Sequence, residues 1–141
     1  MAMKSSRISV VLALCIITLI ACTPSPDEAK CPEGSDRFDE YSLFFGRNIG
    51  DAEVVSDDDW RAFLADTVTP RFPEGLSVFD AEGQWRNSQG ESVRERSKMV
   101  MILAEPDTDA STRLDEIVEE YKRRFSQESV LRVTDSACVA F

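Results

Sequence analysis

The spacing of apolar residues from position 40 onward predicts a small domain that combines strands and helices. Tyr41–Phe45 is predicted to be a strand that ends at Gly46. A helix should follow, because acidic residues come directly after Ser56, as in a capped helix, and Pro70 would end the segment. Four apolar residues between these limits recur at helical intervals: Trp60, Phe63, Leu64 and Val68.

The middle of the chain predicts a hairpin of two strands. The first strand covers Leu76–Phe79 and resumes at Gln84–Arg86, after a turn or bulge at Asp80–Gly83. The polar residues Asn87–Gly90 favour a second turn, and a returning strand is predicted over about 94–103.

A second helix and a last strand complete the predicted domain. The helix has apolar residues at i, i+3, i+4, i+7 and i+11, namely Leu114, Ile117, Val118, Tyr121 and Phe125. The last strand begins at Val130–Val133, and its continuation to Phe141 is left open. With right-handed crossovers, the order β-α-β-β-α-β predicts an α+β, ferredoxin-like sandwich whose antiparallel sheet carries both helices on one face.

The N-terminal segment predicts export and a lipid anchor. Lys4 and Arg7 precede a short apolar run, Ile8–Ile20, and the sequence Leu-Ile-Ala-Cys of a bacterial lipoprotein signal ends at Cys22. An uncleaved transmembrane helix and an ordinary signal peptide are the alternatives. The run is short for a permanent span, and a cysteine directly after the small residue favours lipid attachment, such as palmitate, at Cys22.

Cleavage before Cys22 would divide the chain into three parts. We expect a signal peptide over residues 1–21, a flexible tether over 22–39 and a single α+β domain over 40–141. The membrane would then be a partner through the lipid anchor, with the domain in the periplasm. Thr23 is not the aspartate that retains enteric lipoproteins in the inner membrane, so the outer membrane is favoured over the inner one.

The mature chain would be strongly acidic. Loss of Lys4 and Arg7 leaves 14 Lys and Arg residues against 26 Asp and Glu residues, a formal charge of −12. Such a surface repels nucleic acid, so no nucleic-acid partner is expected. The chain also has no histidine, which argues against histidine-dependent catalysis and against ordinary zinc or haem sites. We expect no metal and no cofactor.

Cys31 and Cys138 remain once the leader and the lipid attachment site are set aside. In an exported protein such a pair favours a structural disulfide. Two free thiols or a redox pair are the alternatives, although redox pairs usually have close spacing. In the predicted topology the last strand runs antiparallel to the first, which would bring the two cysteines close together.

Met99–Leu103 is apolar at every position, although a strand in a sheet covered on one side should alternate. Phe44 adds an apolar side chain opposite Leu43 and Phe45. Cover by the hairpin over residues 84–97, a pocket, and a homodimer through the open sheet face would each explain this pattern. We expect the residues that do not face the helices to mediate self-association.

Five residues are candidate ligand-binding residues. Arg71 lies between two prolines on a stiff connector and is suited to a carboxylate ligand, although pairing with a local acid is the simpler explanation. Gln84, Trp85, Glu95 and Lys98 would place hydrogen-bonding groups beside an indole, although packing and solvation explain them more simply. No catalytic residue is predicted.

Seven segments, in order, carry a resemblance to a family. They are Leu43–Gly46, Trp60–Leu64, Thr69–Leu76, Gly83–Trp85, Arg94–Lys98, Tyr121–Phe125 and Gln127–Leu131. Over about 41–141 the chain resembles bacterial lipoproteins known as domain of unknown function 3574. The resemblance implies a periplasmic or outer-membrane location and no particular activity.

These observations favour a membrane-tethered periplasmic lipoprotein that binds a small ligand or a protein of the cell envelope. One alternative is a cofactor-free enzyme with a pocket near Arg71, Gln84 and Glu95, in which Glu95 would be a general base. Another alternative is a purely structural envelope component. A deep pocket at these three residues would favour the enzyme, whereas a flat apolar sheet face would favour a partner.

Overall fold

A computed structural model describes residues 30–86, 90–106 and 109–141. Four long strands form one antiparallel sheet, and a two-stranded hairpin lies beside it. In chain order the strands are β1 (Asp36–Gly46), β2 (Asn48–Ile49), β3 (Ala52–Glu53), β4 (Ser77–Arg86), β5 (Ser92–Ala104) and β6 (Leu131–Val139). The helices are α1 (Asp57–Phe63) and α2 (Ala110–Phe125).

The sheet has the strand order β4-β5-β1-β6, with β2 and β3 paired separately. Each helix connects two strands that are not neighbours in the sheet, so the large elements follow the order β-α-β-β-α-β. This arrangement confirms the predicted ferredoxin-like sandwich. Neither helix in the described part of the chain is long and apolar enough to cross a membrane.

Helix α1 begins as the sequence predicts. The Ser56 hydroxyl accepts a hydrogen bond from the Asp59 backbone N–H at 3.1 Å, and the Asp59 carboxylate accepts one from the Ser56 N–H at 3.2 Å. This reciprocal pair is a capping box. A π-helical segment, Leu64–Val68, and a short 3-10 turn, Thr69–Arg71, continue the helical segment past Pro70.

The core lies between the helices and one face of the sheet. On that face β1 and β5 contribute alternate residues, as the two-residue period of a strand requires. Tyr41, Leu43, Phe45, Val100 and Ile102 are all buried there. Against them pack Trp60 and Phe63 of α1 and the apolar residues of α2, Leu114, Ile117 and Tyr121. The predicted helix stripes therefore point toward the sheet.

Two strand boundaries differ from the prediction. β1 starts at Asp36 and not at Tyr41, because the residues before Tyr41 also pair with β6, from Asp36↔Val139 onward. Residues 36–39, which were predicted to belong to the tether, are thus part of the sheet. The predicted turn at Asp80–Gly83 is also wrong, since β4 runs without a break and pairs with β5 along its whole length.

Cys31 and Cys138 form a disulfide, with Cα atoms 5.5 Å apart. The antiparallel pairing of β1 and β6 brings the two cysteines together, as the predicted topology requires. Cys138 lies opposite Arg37 near the start of β1, and Cys31 is in the segment just before this strand. The bond holds the segment before β1 against the end of β6. The leader and Cys22 lie outside the described residues.

The sheet face opposite the helices, here called the outer face, is largely apolar. Met99, Met101 and Leu103 point to this face, because Val100 and Ile102 face the helices. Four further apolar side chains on it are exposed: Phe79 (45%), Trp85 (49%), Leu131 (61%) and Val133 (48%). Cover by the 84–97 hairpin is contradicted, because both of its described arms continue the sheet as β4 and β5.

Candidate functional site

A cavity of about 580 Å³, here called the outer-face pocket, opens at the Gly46 end of the outer face. Its floor comes from β1, β4 and β5, and its rim comes from the β2–β3 hairpin and the segment between α2 and β6. Its apolar walls include Phe44, Trp85, Val93 and Leu131. The pocket therefore combines sheet side chains with two connecting segments at one edge of the domain.

Arg47 holds the hairpin side of the rim. Its side chain is 1% exposed, and its Nε donates to the Val55 carbonyl oxygen at 2.8 Å. Nη2 forms an ion pair with Glu53 at 2.8 Å, and Nη1 lies 3.0 Å from the Asp57 carboxylate without a hydrogen-bonding angle. One buried guanidinium thus ties the hairpin to the start of α1.

The other side of the rim is tied to the hairpin by Gln127. Its side-chain Nε2 donates to the Asn48 carbonyl oxygen at 3.2 Å. Ser126 ends α2 in the left-handed conformation, with φ of 53°, and turns the chain toward this contact. The two rim segments are therefore connected directly.

The floor of the pocket depends on a glycine. A Cβ atom on Gly46 would lie only 2.8 Å from Oε2 of Glu95, so the absence of a side chain lets the carboxylate lie against β1. Below this point the Tyr121 hydroxyl donates to the Gly46 carbonyl oxygen at 2.9 Å. Burial raises the pKa of Tyr121 well above its usual value, Arg47 opposes this rise, and Glu95 adds to it. The hydroxyl is consequently a stable donor.

A second depression of about 560 Å³ adjoins the outer-face pocket and is more highly charged. The two cavities share Asn48, Gly83, Gln84 and Glu95. Arg94 and Arg96 line only the second one, where the Arg96 guanidinium lies 3.3 Å from the Glu53 carboxylate. The Gln84 side-chain amide is oriented with its oxygen toward Arg94, and this oxygen accepts hydrogen bonds from the Arg94 guanidinium.

The structure brings together three of the five predicted ligand-binding residues. Gln84, Trp85 and Glu95 all line the outer-face pocket. Arg71 does not, because its Nε donates to Glu116 of α2 at 3.0 Å and its Nη1 donates to the Thr67 carbonyl oxygen at 2.8 Å.

Lys98 is also outside the pocket. It lies opposite Phe45 on the helix side of the sheet, and its Nζ is 2.5 Å from the Asp80 carboxylate. A pocket converging on Arg71, Gln84 and Glu95 would have favoured the enzyme alternative, and the structure brings only Gln84 and Glu95 of these three residues to the pocket.

The rim residues were not predicted. Asn48 and Gly50 come from a hairpin with two-residue strands, and Gln127 and Ser129 come from a short connection. The Gly50-Asp51 pair is a turn signal that would have indicated the hairpin. Among residues 30–86, 90–106 and 109–141, no three Cys, Asp or Glu side chains are grouped as metal ligands would be.

A family model described as a protein of unknown function, DUF3574, matches residues 40–141. The chain belongs to this family. The outer-face pocket and every long strand and helix of the DUF3574 domain fall within the match, apart from the first residues of β1. A comparison with curated proteins finds no match.

The DUF3574 domain is similar in fold to solved structures of a phage SAM lyase. One is a complex with S-methyl-5'-thioadenosine, with 18% identity and a TM-score of 0.56, and the match covers 81% of this chain and 95% of the lyase. The other is the apo state, with 20% identity and a TM-score of 0.55, and the match covers 80% and 95% of the two chains. At these identities the likeness concerns the fold.

Proposed function

We propose that this DUF3574 domain is a small-molecule-binding module of the bacterial cell envelope and that the outer-face pocket is its binding site. The observation that carries this proposal is the exposed indole of Trp85 beside the carboxylate of Glu95 in a cavity of about 580 Å³. A cavity of this size with apolar walls and few polar groups is typical of ligand sites.

The rim supports the same proposal. Arg47 and Gln127 hold the two rim segments in place by contacts inside the protein, so the cavity exists before a ligand arrives. A preformed site lowers the entropic cost of binding. The phage lyase of similar fold was solved with S-methyl-5'-thioadenosine, which makes this compound a reasonable first probe.

The experiment uses the two tryptophans as reporters. Trp60 is buried in the core, whereas Trp85 is 49% exposed, so only the emission of Trp85 should respond to a ligand in the pocket. The protein is the chain from residue 22 with Cys22→Ser, which prevents lipidation. S-methyl-5'-thioadenosine and a fragment library are titrated, and binding is mapped by amide NMR.

Two variants make the result specific. Trp85→Phe should abolish the fluorescence response and weaken binding. Phe141→Leu, a change at an exposed aromatic residue outside the pocket and away from the centre of the outer face, should change neither. The proposal fails if no compound shifts resonances at the pocket, or if ligands map to another part of the domain.

The envelope location rests on the leader sequence, and we propose a lipid anchor at Cys22 on that basis. Two or more acyl chains would anchor the protein stably where one chain would be marginal. The outer membrane stays the favoured location because of Thr23. Cys22→Ser should release the processed protein from the membrane fraction into the soluble periplasmic fraction, and unchanged retention would contradict the anchor.

The apolar outer face favours a second role, and we propose that it binds the same face of a second copy. Four strands about 4.8 Å apart and about 30 Å long present roughly 600 Å² in projection. This approaches the ~800 Å² of accessible surface that each partner buries in a standard interface. A second copy offers a face of matching twist, as aligned sheet packing requires.

The distribution of charge over the surface also favours contact between the outer faces of two copies. A chain of formal charge −12 after removal of the leader repels its copies over most of its surface. The centre of the outer face is uncharged, since it consists of Ser42, Phe79, Met99, Met101 and Val133. Contact there avoids most of the repulsion.

Analytical ultracentrifugation of the unlipidated chain tests this association. Met101→Lys should give a folded monomer, because it places a charge at the centre of the interface. Thr112→Lys, an equivalent change on the exposed side of α2, should leave the association unchanged. A wild-type chain that is monomeric at its highest soluble concentration would refute the proposal.

A further inference from the structure

Glu95 is a half-buried acid on the outer face with no cationic partner in the described part of the chain. No side-chain hydrogen bond or ion pair reaches its carboxylate there, although the acids Glu53, Asp57 and Asp80 are all paired. Its position is fixed by Gly46 and by Gly83, where a Cβ atom would lie 3.7 Å from its Cγ. The chain thus places a negative charge at a defined point on the floor of the cavity.

The basic residues of the neighbouring rim and of β5 contact other groups, not the Glu95 carboxylate. Arg47 contacts Glu53 and Asp57, and Lys98 contacts Asp80 on the helix side of the sheet. Arg94 and Arg96 flank Glu95 along β5, but alternate residues of a strand point to opposite faces. Neither arginine lines the outer-face pocket. Both line the adjoining depression, to which Glu95 also contributes, and there Arg94 contacts Gln84 and Arg96 contacts Glu53.

The lining of the outer-face pocket is therefore acidic and aromatic. Its charged side chains in the described segments are Glu95 and Glu128, with no lysine or arginine among them. Trp85 and Phe44 lie on the same sheet face as Glu95, and the Trp85 indole is exposed. Aromatic faces attract organic cations such as quaternary ammonium groups, and a nearby carboxylate adds Coulombic attraction.

We propose that the outer-face pocket selects ligands that carry an organic cation, such as a quaternary ammonium group. The inference rests on the proposed binding function and names the ligand class for that site. The cation would lie between the Glu95 carboxylate and the Trp85 ring, and the apolar remainder of the ligand would contact Val93 and Leu131. A metal ion suits this lining poorly, because hard cations need several oxygen ligands and gain little from aromatic walls.

The experiment compares choline with 3,3-dimethylbutan-1-ol, a neutral molecule of nearly the same shape. Both are titrated into the unlipidated chain, with Trp85 fluorescence and amide NMR as readouts. Choline should bind at least about tenfold more tightly, which corresponds to ~1.4 kcal/mol. Equal or tighter binding of the neutral alcohol would overturn the inference and leave the proposed binding function standing.

Variants assign the charge preference to Glu95. Glu95→Gln keeps the shape of the side chain and should remove the preference for choline, while the weak affinity for the neutral alcohol is retained. Glu74→Gln, an exposed acid outside the pocket, should preserve the preference. A choline preference that survives Glu95→Gln would overturn the assignment, and so would the absence of choline binding in a chain whose pocket binds neutral fragments.

Discussion

Replacing Tyr121 with Phe removes a single hydroxyl group from beneath the pocket and leaves the aromatic core in place. The Tyr121 ring is fully buried and packs against the rings of Phe45, Phe63 and Phe125, with centroid distances of 4.7, 5.0 and 4.9 Å. Phe retains all three contacts. The substitution therefore isolates the hydrogen bond from the hydroxyl to the Gly46 carbonyl oxygen.

The expected loss in the free energy of unfolding follows from the hydrogen bond that the Gly46 carbonyl oxygen loses. The substituted side chain has no hydroxyl group, so the Gly46 carbonyl oxygen at the end of β1 loses the hydrogen bond that Tyr121 donates in the wild type. A fully buried acceptor left without its partner costs about 1–3 kcal/mol, and because this carbonyl is only partly buried we expect a loss of about 1 kcal/mol. Tyr121→Ala would also remove the ring, and truncation of a buried aromatic residue alone costs about 3–5 kcal/mol. The free energy of unfolding should thus fall in two clearly separated steps.

Urea unfolding of the oxidised chain measures both steps. With a slope of about 1–3 kcal/mol per molar for a small domain, Tyr121→Phe should lower the midpoint by up to about 1 M at an unchanged slope. Resonances of Gly46 and Glu95 should also shift, because the carbonyl is part of the pocket floor. A midpoint equal to that of the wild type would refute the argument that this hydrogen bond holds the end of β1.

The remaining predictions concern pH and the disulfide. The pKa of Tyr121 is raised in the folded state, so the contribution of its hydroxyl to the free energy of unfolding is complete below the unfolded pKa of about 10 and is lost at higher pH. The difference in stability between the wild type and Tyr121→Phe should therefore shrink above about pH 10. Hydrogen bonds from Ser56 lower the pKa of Asp59 in the folded state. The ionised Asp59 carboxylate therefore stabilises the fold above its unfolded pKa, and this stabilisation is lost as the pH falls through the folded pKa. In an NMR titration Ser56→Ala should raise the pKa of Asp59, and an unshifted curve would contradict the capping box. Reduction of Cys31–Cys138, which are 107 residues apart, should lower the free energy of unfolding by up to about 4.7 kcal/mol, and an unchanged urea midpoint would contradict this.

The element types were predictable because the apolar spacing in this chain is regular. Trp60 and Phe63 in α1, and Leu114 and Ile117 in α2, recur at helical intervals and are buried as a result. The predicted turn at Asp80–Gly83 was wrong because turn-forming residues can also lie within a strand when a partner strand pairs with them, as β5 does here. These polar residues lie in an edge strand, where the paired residues of β5 satisfy the backbone.

The pocket was predictable only in part, for a geometric reason. In the pairing of β4 with β5, Trp85 lies opposite Val93 and Glu95 lies opposite Gly83. Trp85 and Glu95 are therefore two residues apart along the ladder, an even separation that places both side chains on the same face. Lys98 is three residues from Glu95, and an odd separation along a strand places the two side chains on opposite faces. The β2–β3 rim is too short to leave a periodic signal.

The disulfide limits how far the domain could move from a membrane. With an anchor at Cys22, a tether of 18 residues (22–39) would reach about 65 Å at full extension. The bond at Cys31 attaches the chain to the fold nine residues after Cys22, which corresponds to a contour length of about 30 Å. β1 then runs 11 residues, about 35 Å, from the anchored end to Gly46. The domain would thus be held close to the bilayer, and its pocket opens at the opposite end of β1 from the tethered segment.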